Sequence, residues 1–212
     1  MNRWMRSLQP WLCVGALLLL SACAFGDRKV TLSYQPETAE SDATAAKVTT
    51  AATAPPVADD GKLAFIVVPF KDERADKNIV GEVRNGWGMH TADVVVQNDV
   101  AQWITDGLKT ELANAGYRVV ESAADDSTAP QIEGTVARVY CTALFSYEAE
   151  VSFFATLHRD GKEVINQQYH GTGSAGVNMA ATSGSYKDSL NRALSAALRS
   201  LIADLKIAGA TT

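Results

Sequence analysis

Two periodicities divide the chain into elements. In residues 147–158, Tyr147, Ala149, Val151, Phe153, Ala155 and Leu157 alternate with Glu148, Glu150, Ser152, Thr156 and His158, the period-two signature of a half-buried strand. Phe154 is the exception. In residues 99–115 the period becomes helical. Val100, Ile104, Leu108, Leu112 and Ala115 share one face with Trp103 at its border, and Glu111 falls inside the apolar sector, where it needs a partner. Asp99 with Gln102 predicts a capping box, and Gly116 a C′ stop. A second helix is predicted over 186–207, with Leu190, Leu194, Ala197, Leu198, Leu201 and Leu205 on one stripe and Ser185 and Asp188 as its capping box.

The remaining strands are less regular. Residues 30–34 alternate briefly, and 63–70 form the continuous apolar run of a strand buried on both faces, with Pro69 at its end. Further strands are predicted over 94–96, 117–121, 132–141 and 162–170. The strand-helix-strand order from 94 to 121 predicts that its two strands lie parallel. Asn85-Gly86 suits a type I′ turn. Arg159-Asp160-Gly161 reads as a three-residue loop with a bulge, which sets Ile165 opposite Ala155 and Tyr169 opposite Val151. The fold class expected is α+β, a mostly antiparallel sheet of about five strands with two amphipathic helices packed on one face. Between 35 and 61 the chain turns to Ala, Thr, Pro, Glu and Asp, with Val48 and Val57 its only large apolar residues, the composition of a flexible linker. Such a coil of about 25 residues has a root-mean-square span of about 25 to 30 Å.

The N-terminus has a different grammar. Arg3 and Arg6 precede an apolar stretch over 11–20, too short for a membrane span and of signal-peptide length. The stretch ends in Leu20-Ser21-Ala22-Cys23, which resembles the lipobox of bacterial lipoproteins. The resemblance implies cleavage before Cys23, a diacylglycerol thioether on its sulfur and an N-acyl chain such as palmitate on its new amino group. At about 0.8 kcal/mol per buried methylene, two or three acyl chains hold a protein on a bilayer. Ala24, rather than aspartate, follows the cysteine, which by the sorting pattern of such lipoproteins implies the outer membrane, periplasmic face. The chain therefore divides into a signal peptide (1–22), a lipid anchor with a short strand and flexible linker (23–61), and an α+β periplasmic domain (62–208).

Charge and composition narrow the partners. Loss of residues 1–22 removes two of the 19 basic residues and none of the 24 acidic ones, for a mature formal charge of −7. No basic patch points to nucleic acid. Cys13 leaves with the signal and Cys23 is acylated, so Cys141 is the one remaining thiol, expected to be buried and unable to form an intramolecular disulfide. The residues 171–176 match GxGxxG, yet dinucleotide binding needs that run to open a helix after a strand. Here it follows a hairpin and reads as a loop. There is no G-x-S-x-G, C-x-x-C or H-x-x-x-H, and His90, His158 and His170 are scattered, so neither catalytic nor metal-binding residues are nominated. Asp72, Glu73 and Asp76 are interleaved with Lys71, Arg74 and Lys77, a self-neutralised loop.

The lipobox, Tyr34-Gln35-Pro36, Phe70-Lys71-Asp72-Glu73-Arg74, the GEVRNGWG run at 81–88, Trp103 with Glu111-Leu112, and Gly116-Tyr117 together resemble the YajG-type bacterial lipoproteins, a family without an assigned activity. The resemblance covers nearly all of the mature chain and implies an α+β domain without catalytic residues, free of cofactors other than its own lipid. The function expected is a non-enzymatic envelope interaction module, held to the membrane by its anchor and meeting an envelope protein partner. An auxiliary lipoprotein of an ABC-type lipid or glycan transport system is the alternative, and a cell-wall hydrolase a more distant one. The candidate partner-binding residues lie in 72–90, where charge, three glycines and a large aromatic are packed between strands: Asp72, Arg74, Arg84 and Trp87.

Overall fold

The computed structural model describes residues 26–36, 63–122, 126, 128–177 and 182–210. The expected signal peptide, Cys23 and nearly all of the expected linker lie outside the described residues. Eleven elements follow in order: β1 (Arg28–Val30), β2 (Ala64–Val67), β3 (Lys71–Asp72), β4 (Ile79–Arg84), β5 (His90–Val96), α1 (Val100–Asn114), β6 (Arg118–Val120), β7 (Gln131–Ala143), β8 (Ser146–Arg159), β9 (Lys162–Val177) and α2 (Ser183–Ala210).

The sheet is organised around β7. One edge of β7 pairs antiparallel with β8, and β8 with β9. The other edge is shared: its first half runs parallel to β2 and β3, and its second half parallel to β4. Beyond β2 lies β6, parallel, and beyond β4 lie antiparallel β5 and then parallel β1. The expected sheet of about five mostly antiparallel strands is thus corrected to nine strands with five parallel pairings. The α+β class holds. β1, β3 and β6 are only three, two and three residues long, too short to display a period, and which strand meets which is decided by packing. The parallel partner of β6 is β2, not the expected β5, whose two edges are already taken by β4 and β1.

The apolar run of β2 is buried on both faces, as its composition requires. Phe65 and Val67 join the main core, while Ala64 and Ile66 meet Val120 in a smaller cluster. Both helices pack on the main core, with Trp103 only 2% exposed instead of at a border. At the start of α1 the Asp99 carboxylate accepts from Ala101 N (2.8 Å) and Gln102 N (3.1 Å). The Gln102 side chain does not reach back to complete the box; it donates to Asp106 instead, at 2.7 Å. At the other end Gly116 takes φ +89°, and the bonds Gly116 N to Ala113 O and Tyr117 N to Leu112 O close a Schellman motif. α2 starts earlier than expected. Thr182, not Ser185, is its cap, its hydroxyl facing both the Ser185 N–H (3.4 Å) and the Ser185 hydroxyl (2.9 Å).

The hairpin register also differs from expectation. Asp160 (φ +52°) and Gly161 (φ +71°) form a two-residue turn with Arg159 opposite Lys162, and a bulge then brings Ile165 opposite Leu157 and Tyr169 opposite Phe153. The offset from the expected pairing is two residues, so Ile165 and Tyr169 still face the core side. β9 then continues through 171–176, the segment read as a loop.

Residues 28–34 belong to the packed body. Val30 and Leu32 are buried, Asn98 bonds both backbone groups of Leu32, and Asn191 on α2 donates to Ser33 O. The Tyr34 hydroxyl donates to Glu111 at 2.6 Å and lies 2.9 Å from Ser195 Oγ. Glu111 therefore finds its required partner in a hydroxyl, not in a cation. Burial, reinforced by Glu111, raises the Tyr34 pKa well above the usual phenol range.

Candidate interaction surface

The segment from Asp72 to His90 separates into two devices. In the first, the Asp72 carboxylate accepts from the backbone N (3.1 Å), Nε (3.0 Å) and Nη2 (2.9 Å) of Arg74. Arg74 also donates to Ile79 O (3.0 Å) and Lys77 O (2.8 Å), and it is only 8% exposed. Asp76 accepts from Asn78 N and Ile79 N. The guanidinium is thus spent on fixing the loop that leads into β4. Burial opposes ionisation of Asp72, but the Arg74 hydrogen bonds outweigh it and hold the carboxyl below the usual carboxylate range.

The second device is the β4–β5 turn. Gly88 N bonds Asn85 O at 2.8 Å with Gly88 at φ +80°, and Asn85 Oδ1 accepts from both Trp87 N and Met89 N at 3.0 Å. The expected two-residue Asn85-Gly86 turn is therefore replaced by a longer one in which Gly88, not Gly86, takes the left-handed conformation. Arg84 staples it, with Nε 2.7 Å from Glu82 Oε1 and Nη1 2.9 Å from Gly88 O. This rigid tip leaves Trp87 87% exposed and Met89 58% exposed. Asp72 and Arg74 stand at one end of β4, Arg84 and Trp87 at the other, about 17 Å apart at 3.3 Å per residue. The four nominated residues form two pairs and do not converge on one point.

A residue outside the nominated set completes the picture. Phe145, in the β7–β8 turn, is 69% exposed. Because β4 and β7 run parallel with Val83 opposite Ala143, the β4–β5 and β7–β8 turns emerge from the same end of the sheet. The signal was present in the sequence: Ala143-Leu144-Phe145 is an apolar connection without Gly, Pro, Asn or Asp, where a plain turn needs none of that apolar bulk.

The sheet face away from the helices is open. On it Arg138 lies over the Tyr140 ring at 5.1 Å and pairs with Glu150. With Thr142, Glu148, Thr172 and Ser174 these residues line a hollow of about 570 Å³. Glu82 and Arg84 adjoin it, Glu82 approaching Thr142 at 3.5 Å. The histidines stay apart: His90 pairs with Asp93, His158 with Glu133, and His170 is exposed opposite Ser152. Among the described residues no group of three or more His, Cys, Asp or Glu could hold a metal ion. Cys141 is buried, which pushes its thiol up to about 12.

The GxGxxG run has another use. Gly171 and Gly173 lie on β9 against α2, where a Cβ would come within 2.2 Å of Ala193 O and 2.3 Å of Ser189 O respectively. The glycines let a helix lie directly on the strand, and they do not open a helix as a phosphate cradle requires.

Comparison with known proteins agrees with this architecture. The chain is similar to the crystal structure of XCC0632 from Xanthomonas campestris, with a TM-score of 0.52 and 14% identity over 87% of this chain and 97% of that one, a likeness of fold alone. It is also similar to lipoprotein GNA1162 from Neisseria meningitidis, at a TM-score of 0.32 and 16% identity over 71% of this chain and 99% of that one, which is too distant to carry an argument. No curated protein matches the chain. A family model described as "uncharacterized lipoprotein" matches residues 53–210, three quarters of the sequence, and on that ground the chain belongs to the uncharacterized, YajG-type lipoprotein family.

Proposed function

We propose that the protein is a non-enzymatic interaction module of the outer membrane, acylated at Cys23 and facing the periplasm, which binds an envelope protein through the open face of its sheet. The observation that carries this reading is that face. Two helices cover one side of the sheet, and the other presents Arg138 stacked on Tyr140, ringed by carboxylates and hydroxyls around a hollow. Arg84 adjoins this surface through its pair with Glu82. Aromatic and arginine groups held rigid in a partly open hollow are the kind of anchors on which protein interfaces concentrate their binding energy.

The charges on the face support contact rather than hydrolysis. Glu82 faces Arg84, Glu133 faces His158 and Glu150 faces Arg138. Each of these carboxylates is thereby engaged by a basic side chain instead of standing free to exchange a proton with a substrate. The lipobox and Ala24 support the address.

A photo-crosslinking residue at Tyr140 in cells tests the proposal, with one at the exposed Lys206 of α2 as control. A crosslinked envelope protein at position 140, absent at 206 and lost on Arg138→Glu, is the expected result. Identical crosslinks at both positions, or none at 140, overturn it.

A further inference from the structure

We propose that the end of the sheet formed by the β4–β5 and β7–β8 turns rests on the bilayer that carries the anchor, with Trp87, Met89 and Phe145 entering its headgroup layer. The inference rests on the acylation of Cys23 described above, and it names what the exposed tips touch.

The direction of the chain is the first argument. β1 runs parallel to β5 with Arg28 opposite Val94, and Asp93 N donates to Asp27 Oδ1 at 3.3 Å. Traced backwards from Arg28, the chain heads toward His90, the β5 residue next to the tip. Reach is the second. Arg28 lies five positions after Cys23, a span of at most about 18 Å in any conformation. Val94 to His90 covers about 13 Å of strand. A lipid on Cys23 therefore lies within about 18 Å of Arg28, and the direction in which the chain enters β1 sets it on the side of the tips.

The chemistry of the exposed side chains points the same way. Trp87, Met89 and Phe145 are large apolar side chains left in water on two neighbouring turns, the first of which Arg84 and Asn85 hold by hydrogen bonds. An indole carries an apolar body and one N–H donor, the combination that concentrates tryptophan at the boundary of headgroups and acyl chains. Val164 and Ile207 form another exposed apolar pair, but they adjoin the β8–β9 turn, at the opposite end of β8 from Phe145 and beyond the reach of the tether. With a mature formal charge of −7 the attachment is apolar rather than electrostatic, so zwitterionic lipid suffices and salt does not weaken it.

Of the four tryptophans, Trp4 and Trp11 leave with the signal and Trp103 is buried, so Trp103→Phe makes Trp87 the single tryptophan of the mature protein, excited selectively beyond the tyrosine absorption band. The native lipidated variant is reconstituted in phosphatidylcholine vesicles with and without brominated acyl chains. The expected result is a blue-shifted Trp87 emission that the brominated lipid quenches and high salt leaves unchanged. Emission that stays water-like and unquenched on vesicle-bound protein overturns the inference. So does emission that shifts only when envelope protein extract is added, which would assign the tip to a protein partner. The tether is read separately: a Cys23→Ser protein that sediments with vesicles as fully as the native one refutes the anchor instead.

Discussion

Gly173 on β9 lies directly beneath Ser189 on α2, so close that a Cβ built on the glycine would stand 2.3 Å from the serine carbonyl oxygen. Gly171 stands in the same relation to Ala193 one helical turn further along. Methyl groups here cannot be absorbed by a flexible side chain, because the atoms they meet are helix backbone. Gly173→Ala is expected to lower stability by about 1 to 3 kcal/mol, the range for overpacking, and Gly171→Ala to do the same. Urea denaturation of the two variants checks this. Unchanged midpoints would show that α2 does not sit on the strand as described.

The Asp72–Arg74 pair makes stability depend on pH in a defined direction. The folded carboxyl ionises below its ordinary value near 3.9, so the stability it contributes is complete above that value and is lost as the pH falls through the lower, folded one. Asp72→Asn should therefore be less stable than the native protein at neutral pH and show a shallower loss as the pH falls below that ordinary value. Chemical denaturation at a series of pH values measures both. Parallel curves would mean that the ion pair makes no contribution to the fold.

Trp87 and Trp103 should respond oppositely to truncation. Trp87 touches little of the domain, and Trp87→Ala should leave stability within about 0.5 kcal/mol, as for surface substitutions generally. Trp103 is buried between α1 and the core, and Trp103→Ala should cost about 3 to 5 kcal/mol. A large loss in Trp87→Ala would make the β4–β5 turn a structural cap and remove it as a contact surface.

These contrasts show which parts of the fold the amino acids declare locally. The first cap of α1 was legible because Asp99 and Gly116 act on backbone groups within a few residues of themselves. β8 was legible because six alternating apolar residues meet a core on one side only. The continuation of β9 past His170 was not: positions 169, 171, 173 and 175 do alternate toward the core, but two of them are glycines, chosen by the approach of α2 and silent in a hydrophobic pattern. The split edge of β7, shared by β2, β3 and β4, leaves no local mark at all, because each of those strands would read the same with any partner. Of the site, Trp87 was visible as a large aromatic in a glycine-rich turn. Phe145 showed only as apolar bulk in a connection, and it is the parallel pairing of β4 with β7 that brings the two turns together. Asp72 and Arg74 stood out for their charge, yet their hydrogen bonds are directed at each other and at the loop backbone.

Cys23 is the proposed acylation site, and the protein's address follows from it. Cells expressing the native chain or Cys23→Ala are labelled with radioactive fatty acid, and their membranes are separated by density. The native protein should carry label and band with the outer membrane, while Cys23→Ala should carry none and accumulate as unprocessed precursor. Label in the Cys23→Ala protein, or native protein without label, would contradict the account.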